Sequence, residues 1–91
     1  MNLLEVISNL KRFNDEHTIY AQEPWTVSSL SQVEYEPDEG EPEAVSKLNM
    51  SYFLEVDLAI EFLEGWLDSV GSKPSPEDVC NRLIEYAVND S

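Results

Sequence analysis

Ser51-Tyr52-Phe53-Leu54-Glu55-Val56-Asp57-Leu58-Ala59-Ile60-Glu61-Phe62-Leu63-Glu64-Gly65-Trp66-Leu67-Asp68-Ser69-Val70 is the stretch whose reading decides the fold. Its first residues alternate as a strand does, with Tyr52, Leu54 and Val56 on one face and Phe53 and Glu55 on the other. The same residues would also serve as the start of a long helix. We read a strand that hands over to a helix, with Asp57 as its N-cap. Leu58 to Val70 is then a strongly apolar helix, and Gly71 suits the position just past its end. Glu55, Asp57, Glu61, Glu64 and Asp68 interrupt the apolar run, so it does not meet the requirement for a bilayer span.

Working toward the C-terminus, Ser75-Pro76-Glu77-Asp78 is the sharpest local signal. Ser75 caps, Pro76 suits the first helical position, and Asp78 reaches back in a capping box. Val79, Cys80, Leu83, Ile84 and Ala87 then form one face of a helix to about Asn89. Toward the N-terminus, Gln32 to Glu36 alternates through Val33 and Tyr35 as a half-exposed strand, and Pro37-Asp38-Glu39-Gly40 reads as a turn. Thr18-Ile19-Tyr20-Ala21 is a β-branched and aromatic strand that Pro24 stops. Leu3, Leu4, Val6, Ile7, Leu10 and Phe13 predict an amphipathic helix over residues 2–13, with Lys11 and Arg12 in its last turn, where cations suit the dipole. The gaps between strands are too short for crossover helices throughout. The expected fold is α+β: a small antiparallel sheet of two to three strands with about three helices on one face, in a single domain over 1–91.

A chain of 91 residues has room for one core, and its 42% hydrophobic content is that of a globular protein. Charge is the outlier: 19 acidic residues against five basic ones give a formal net charge of -14. Such a surface repels nucleic acid and anionic membrane and speeds encounter with basic partners, although acidity also serves solubility alone. A single cysteine, Cys80, permits no intramolecular disulfide, and Glu5 within the first apolar stretch argues against a secretory signal. The expected location is cytoplasmic.

Four features are candidates for chemistry. Glu34, Glu36, Asp38, Glu39, Glu41 and Glu43 fall within ten residues with no base among them. Counted from Glu34 as an EF-hand loop, the glycine position holds Glu39 and the last position Val45, so a calcium loop is disfavoured. A solvated loop or a docking surface for a basic partner remains. Asp57, Glu61, Glu64 and Asp68 sit at i, i+4, i+7 and i+11 and share one helix face. Like charges at that spacing destabilise a helix by about 0.2–0.5 kcal/mol per pair. The stripe is either the only face left to meet water or a row of carboxylates that imitates a phosphate backbone. His17 and Cys80 carry no nucleophile signature and are too few for zinc, so no catalytic residue, metal or cofactor is assigned. Among the aromatics, Trp66 shares helical spacing with Leu63 and Val70 and is expected in the core. Trp25, between Pro24 and Thr26, is the one suspected of touching a ligand or partner, with packing over the core the alternative.

Taken together, Thr18-Ile19-Tyr20-Ala21, Pro24-Trp25, Glu36-Pro37-Asp38 with Gly40, Tyr52-Phe53-Leu54-Glu55-Val56, Glu61-Phe62-Leu63-Glu64 with Trp66, and Cys80, Arg82-Leu83-Ile84, Tyr86-Ala87 and Asn89-Asp90 form a pattern over about residues 17–90. It resembles a family of small stand-alone bacterial proteins of unknown function. The resemblance implies a bacterial cytosolic protein and transfers no substrate, cofactor or site residue.

The leading expectation is a non-enzymatic module that binds a basic protein partner through Glu34, Glu36, Asp38, Glu39, Asp57, Glu61, Glu64 and Asp68, with Trp25 as an added contact. An immunity protein or a DNA mimic is one form of it. Direct nucleic-acid and membrane binding are disfavoured, and homo-oligomerisation stays open. The alternative is a small-molecule-binding protein or minor enzyme with a pocket around Trp25, Tyr20 and His17.

Overall fold

The computed structural model describes residues 1–35 and 48–89. The expected turn at Pro37–Gly40 and the acids Glu36, Asp38, Glu39, Glu41 and Glu43 lie outside the described residues. Within them the order is α1 (Leu3–Ser8), a 3₁₀ turn (Leu10–Arg12), β1 (Thr18–Gln22), β2 (Ser31–Glu34), β3 (Met50–Glu55), α2 (Val56–Val70) and α3 (Pro76–Asn89). The sheet is antiparallel throughout, in the order β2-β1-β3. This is the expected small α+β fold.

β1 occupies the centre because Thr18, Ile19, Tyr20 and Ala21 can all be buried. Ile19 and Ala21 face the main core, which also holds Leu3, Val6, Ile7 and Leu10 from the N-terminal helical segment, Val56, Ala59 and Leu63 from α2, and Cys80, Leu83 and Ala87 from α3. Tyr20 points the other way and packs with Met50 and Leu48. β3 departs from simple alternation. Ile19 pairs with Leu54 but Tyr20 pairs with Tyr52, which leaves Phe53 as an extra residue in a bulge. Phe53 and Leu54 are both buried in the main core while Tyr52 is exposed. The expected faces, with Tyr52 beside Leu54, are therefore corrected: one inserted residue reverses the alternation on one side of it.

The helix after β3 begins at Val56, with Glu55 at the N-cap position and no side-chain cap. Asp57, expected as the cap, lies inside the first turn, where its charge still suits the dipole. The chain passes directly from strand to helix: Val56 N–H donates to the His17 carbonyl at 3.0 Å, so the residue before β1 satisfies one of the helix's free amides. Gly71 ends α2 in the left-handed region, at φ 70°. α3 starts with the expected capping box: Asp78 N–H donates to Ser75 Oγ at 3.2 Å, and Ser75 N–H to Asp78 Oδ2 at 3.4 Å.

The N-terminal helix is shorter than the apolar spacing predicts. A capping box between Asn2 and Glu5 opens it, and the Asn9 side-chain amide donates to the Glu5 carbonyl at 2.8 Å where it closes. Leu10 to Arg12 continue as the 3₁₀ turn, so the apolar face stays buried although the α-helix has ended. Leu3 N–H bonds the Ser29 carbonyl and Ser31 N–H the Met1 carbonyl, which ties the chain start to the entry of β2.

Candidate functional site

α2 presents two adjacent rows to the outside. Asp57, Glu61, Glu64 and Asp68 are all exposed, and the helical repeat brings the four carboxylates within one narrow sector. The sequence reading placed these four on one face, and the structure leaves that face open. Beside them run Leu58, Phe62 and Trp66, spaced one helical turn apart and all half-buried. These apolar side chains cannot reach full burial, because α3 covers only one side of α2.

Between α2 and α3 the surface dips into a cleft of about 490 Å³, lined by Leu58, Glu61, Phe62, Gly65, Trp66, Ser69 and Tyr86. Phe62 and Tyr86 stack across the helix pair, with ring centroids 4.0 Å apart and planes 18° from parallel. The Arg82 guanidinium lies over the Phe62 ring at 5.0 Å and sits 3.6 Å from the Glu85 carboxylate. An aromatic face rich in π-electron density attracts a cation in this way. Trp66 was expected in the core with Leu63 and Val70. Leu63 is buried, and Trp66 is half-buried, packing against the main core while also lining the cleft; Val70 is exposed, since α2 projects past its cover toward its C-terminus.

A second cleft of about 440 Å³ lies between the first helical segment and the other side of α2. Ile7, Leu10, Ile60, Leu63, Leu67 and Val79 form much of its wall, and Lys11, Arg12 and Glu64 stand on its rim. Glu64 thus shares a cleft with two cations, whereas Glu61 belongs to the aromatic side. The four acids of the stripe do not face equivalent surroundings.

The remaining sequence candidates are not gathered there. Trp25 is half-buried, packs edge-on against Phe53 at 4.9 Å and donates its Nε1–H to the Ala21 carbonyl at 3.2 Å. Its loop is held by Ser29, whose hydroxyl accepts from Thr26 N–H and donates to the Pro24 carbonyl. Glu34 is half-buried opposite Thr18, and its Oε2 is buried with no hydrogen-bond partner among the described residues. Tyr20 lies on the opposite face of the sheet from the main core that Trp25 joins, and His17 meets the Tyr35 ring edge-on at 6.1 Å. Neither of these two clefts is lined by Trp25, Tyr20 or His17.

Cys80 is fully buried, and burial pushes its thiol up to about 11 from 9.0. A thiol held protonated is the wrong state for a nucleophile. Among the described residues no group of three or more His, Cys, Asp or Glu could hold a metal ion, and no helix is long and apolar enough to cross a membrane. The aromatic cleft is what sequence reasoning missed. Its signal was present in Gly65, a glycine inside an otherwise unbroken helix, and in the Leu58-Phe62-Trp66 row that the acidic stripe overshadowed.

Comparison of the chain with protein-family models, with characterised proteins and with solved structures finds no match.

Proposed function

We propose that this protein is a non-enzymatic binding module that receives a basic protein partner on the outer face of α2. The observation that carries the proposal is the exposure of Asp57, Glu61, Glu64 and Asp68 together in one sector, on a chain of net charge -14. Such a concentration of one sign steers a cationic partner in and rejects nucleic acid. Half-buried Phe62, Trp66 and Tyr86 beside the stripe supply the aromatic contact area that interfaces favour. An immunity or DNA-mimic role is a concrete form of this reading. The cytoplasm is the location it suits, in keeping with a lone, buried cysteine and with the likeness to small bacterial proteins.

The test compares the wild-type chain with Glu61→Lys/Glu64→Lys as immobilised baits in lysate of the source cell. Support is a basic protein retained by the wild type, absent from the variant, and released as salt is raised from about 0.05 to 0.5 M, where screening shortens to a few ångströms. Equal retention by both baits, or retention unaffected by salt, overturns the proposal.

A further inference from the structure

Gly65 stands in the interior of α2, where glycine destabilises a helix by about 1 kcal/mol relative to alanine. Its backbone is helical, so no unusual torsion demands it. A Cβ built there would meet nothing within 4 Å, so no neighbour in the described fold demands it either. What its missing side chain does is deepen the cleft between Phe62, Trp66 and Tyr86. Phe62 and Tyr86 hold each other by stacking, so that wall of the cleft is preformed. Its rim is anionic at Glu61, and the carboxylates of the stripe extend along α2 from Asp57 to Asp68, about 16 Å at 1.5 Å per residue.

We infer that the α2–α3 cleft is the seat for an amphipathic basic helix of a partner protein, with an apolar side chain lodged on Gly65 and Lys or Arg side chains set against Glu61 and its neighbours in the stripe. The inference rests on the acidic-face reading and adds the partner's shape and point of anchorage. Two arguments favour a helix. The carboxylates repeat at three and four residues, the interval at which a facing helix presents its own cations. The apolar row lies directly beside them, which matches the sided surface of a helix laid in a groove. Charge disfavours a second copy of this chain as occupant, since a net charge of -14 works against bringing two copies together at an acidic rim. Arg82 over Phe62 shows in the fold itself that a guanidinium settles on that ring.

Calorimetric titration of the whole chain with two synthetic peptides tests this. Both contain the same Leu and Lys residues over 18 positions; one segregates them onto two helical faces and the other alternates them. The expected result is at least about tenfold tighter binding of the segregated peptide. Gly65→Leu, which fills the cleft, should remove that preference while circular dichroism and the thermal midpoint show an intact fold. Tyr86→Ser should weaken it in the same sense. If wild type binds both peptides equally, or Gly65→Leu keeps the preference, the cleft inference is overturned while salt-sensitive binding leaves the acidic-face reading standing. If neither peptide binds at low salt, both are overturned.

Discussion

Two aromatic pairs divide the molecule. Trp25 and Phe53 meet edge-on at 4.9 Å, with the indole N–H committed to a backbone carbonyl and Phe53 buried among residues of the sheet and helices. Phe62 and Tyr86 meet face-on at 4.0 Å, each only half-buried, with a cation on top and an anionic cleft alongside. In the inner pair Phe53 is consumed by folding, and the half-buried Trp25 has its indole N–H committed within the chain. The outer pair keeps contact area to offer. The type of aromatic residue does not distinguish them, and loop position misleads: Trp25, the loop tryptophan, is the one tied down.

The comparison breaks most decisively at Phe53. Phe53→Ala should destabilise the fold by about 3–5 kcal/mol, as removal of a buried ring does, whereas the half-buried Tyr86→Ala should cost about half as much, about 1.5–2.5 kcal/mol. Urea unfolding of the two variants measures the gap; equal losses would mean that the outer pair is also a core element.

The next effect comes from Cys80, on the core side of α3. Its folded thiol ionises at about 11, above the 9.0 of an exposed thiol, so its contribution is complete below pH 9 and is lost as pH rises toward 11. The expected loss over that window is on the order of 2 kcal/mol relative to Cys80→Ala, read from unfolding curves at pH 8 and pH 11. Thiol labelling at pH 8 should likewise proceed only through unfolding. Rapid labelling of the native chain would show that this side is not closed.

On the outer side the effects shrink. A double-mutant cycle on Phe62 and Tyr86 should return a coupling of about 0.5–1.5 kcal/mol, the range for stacked rings beyond their burial. Zero coupling would remove the claim that the rings preform the cleft. Smallest and opposite in sign, Gly65→Ala should raise stability by about 0.5–1 kcal/mol, since the new methyl gains helix propensity and meets no atom. A measured loss would reveal a packing role for Gly65 and undercut its assignment to a partner.

Much of the architecture was legible because it depends on neighbours in sequence. The cap at Ser75–Asp78, the stop at Gly71 and the strand character of Thr18–Ala21 each rest on interactions within a few residues. Where local signals compete with contacts from afar, reading the sequence went astray. The bulge at Phe53 arises from pairing with β1, so no pattern within β3 announces it. The helix starts one residue before the expected Asp57 cap, where Val56 N–H still pairs across to the His17 carbonyl beside β1. The α-helix stopped at Ser8 although the apolar spacing runs on, because the Asn9 amide closes its end.

The candidate site divides along the same line. That Asp57, Glu61, Glu64 and Asp68 share a face follows from the helical repeat alone, and the sequence by itself determined it. It also determined the excess of negative charge. Only tertiary structure decided that this face stays open, that Trp25 packs on Phe53 while Trp66, also against the core, lines a cleft, and that Tyr86 comes from another helix to complete that cleft. The physical reason is that periodicity specifies direction around one axis, whereas burial depends on which element arrives to cover that direction.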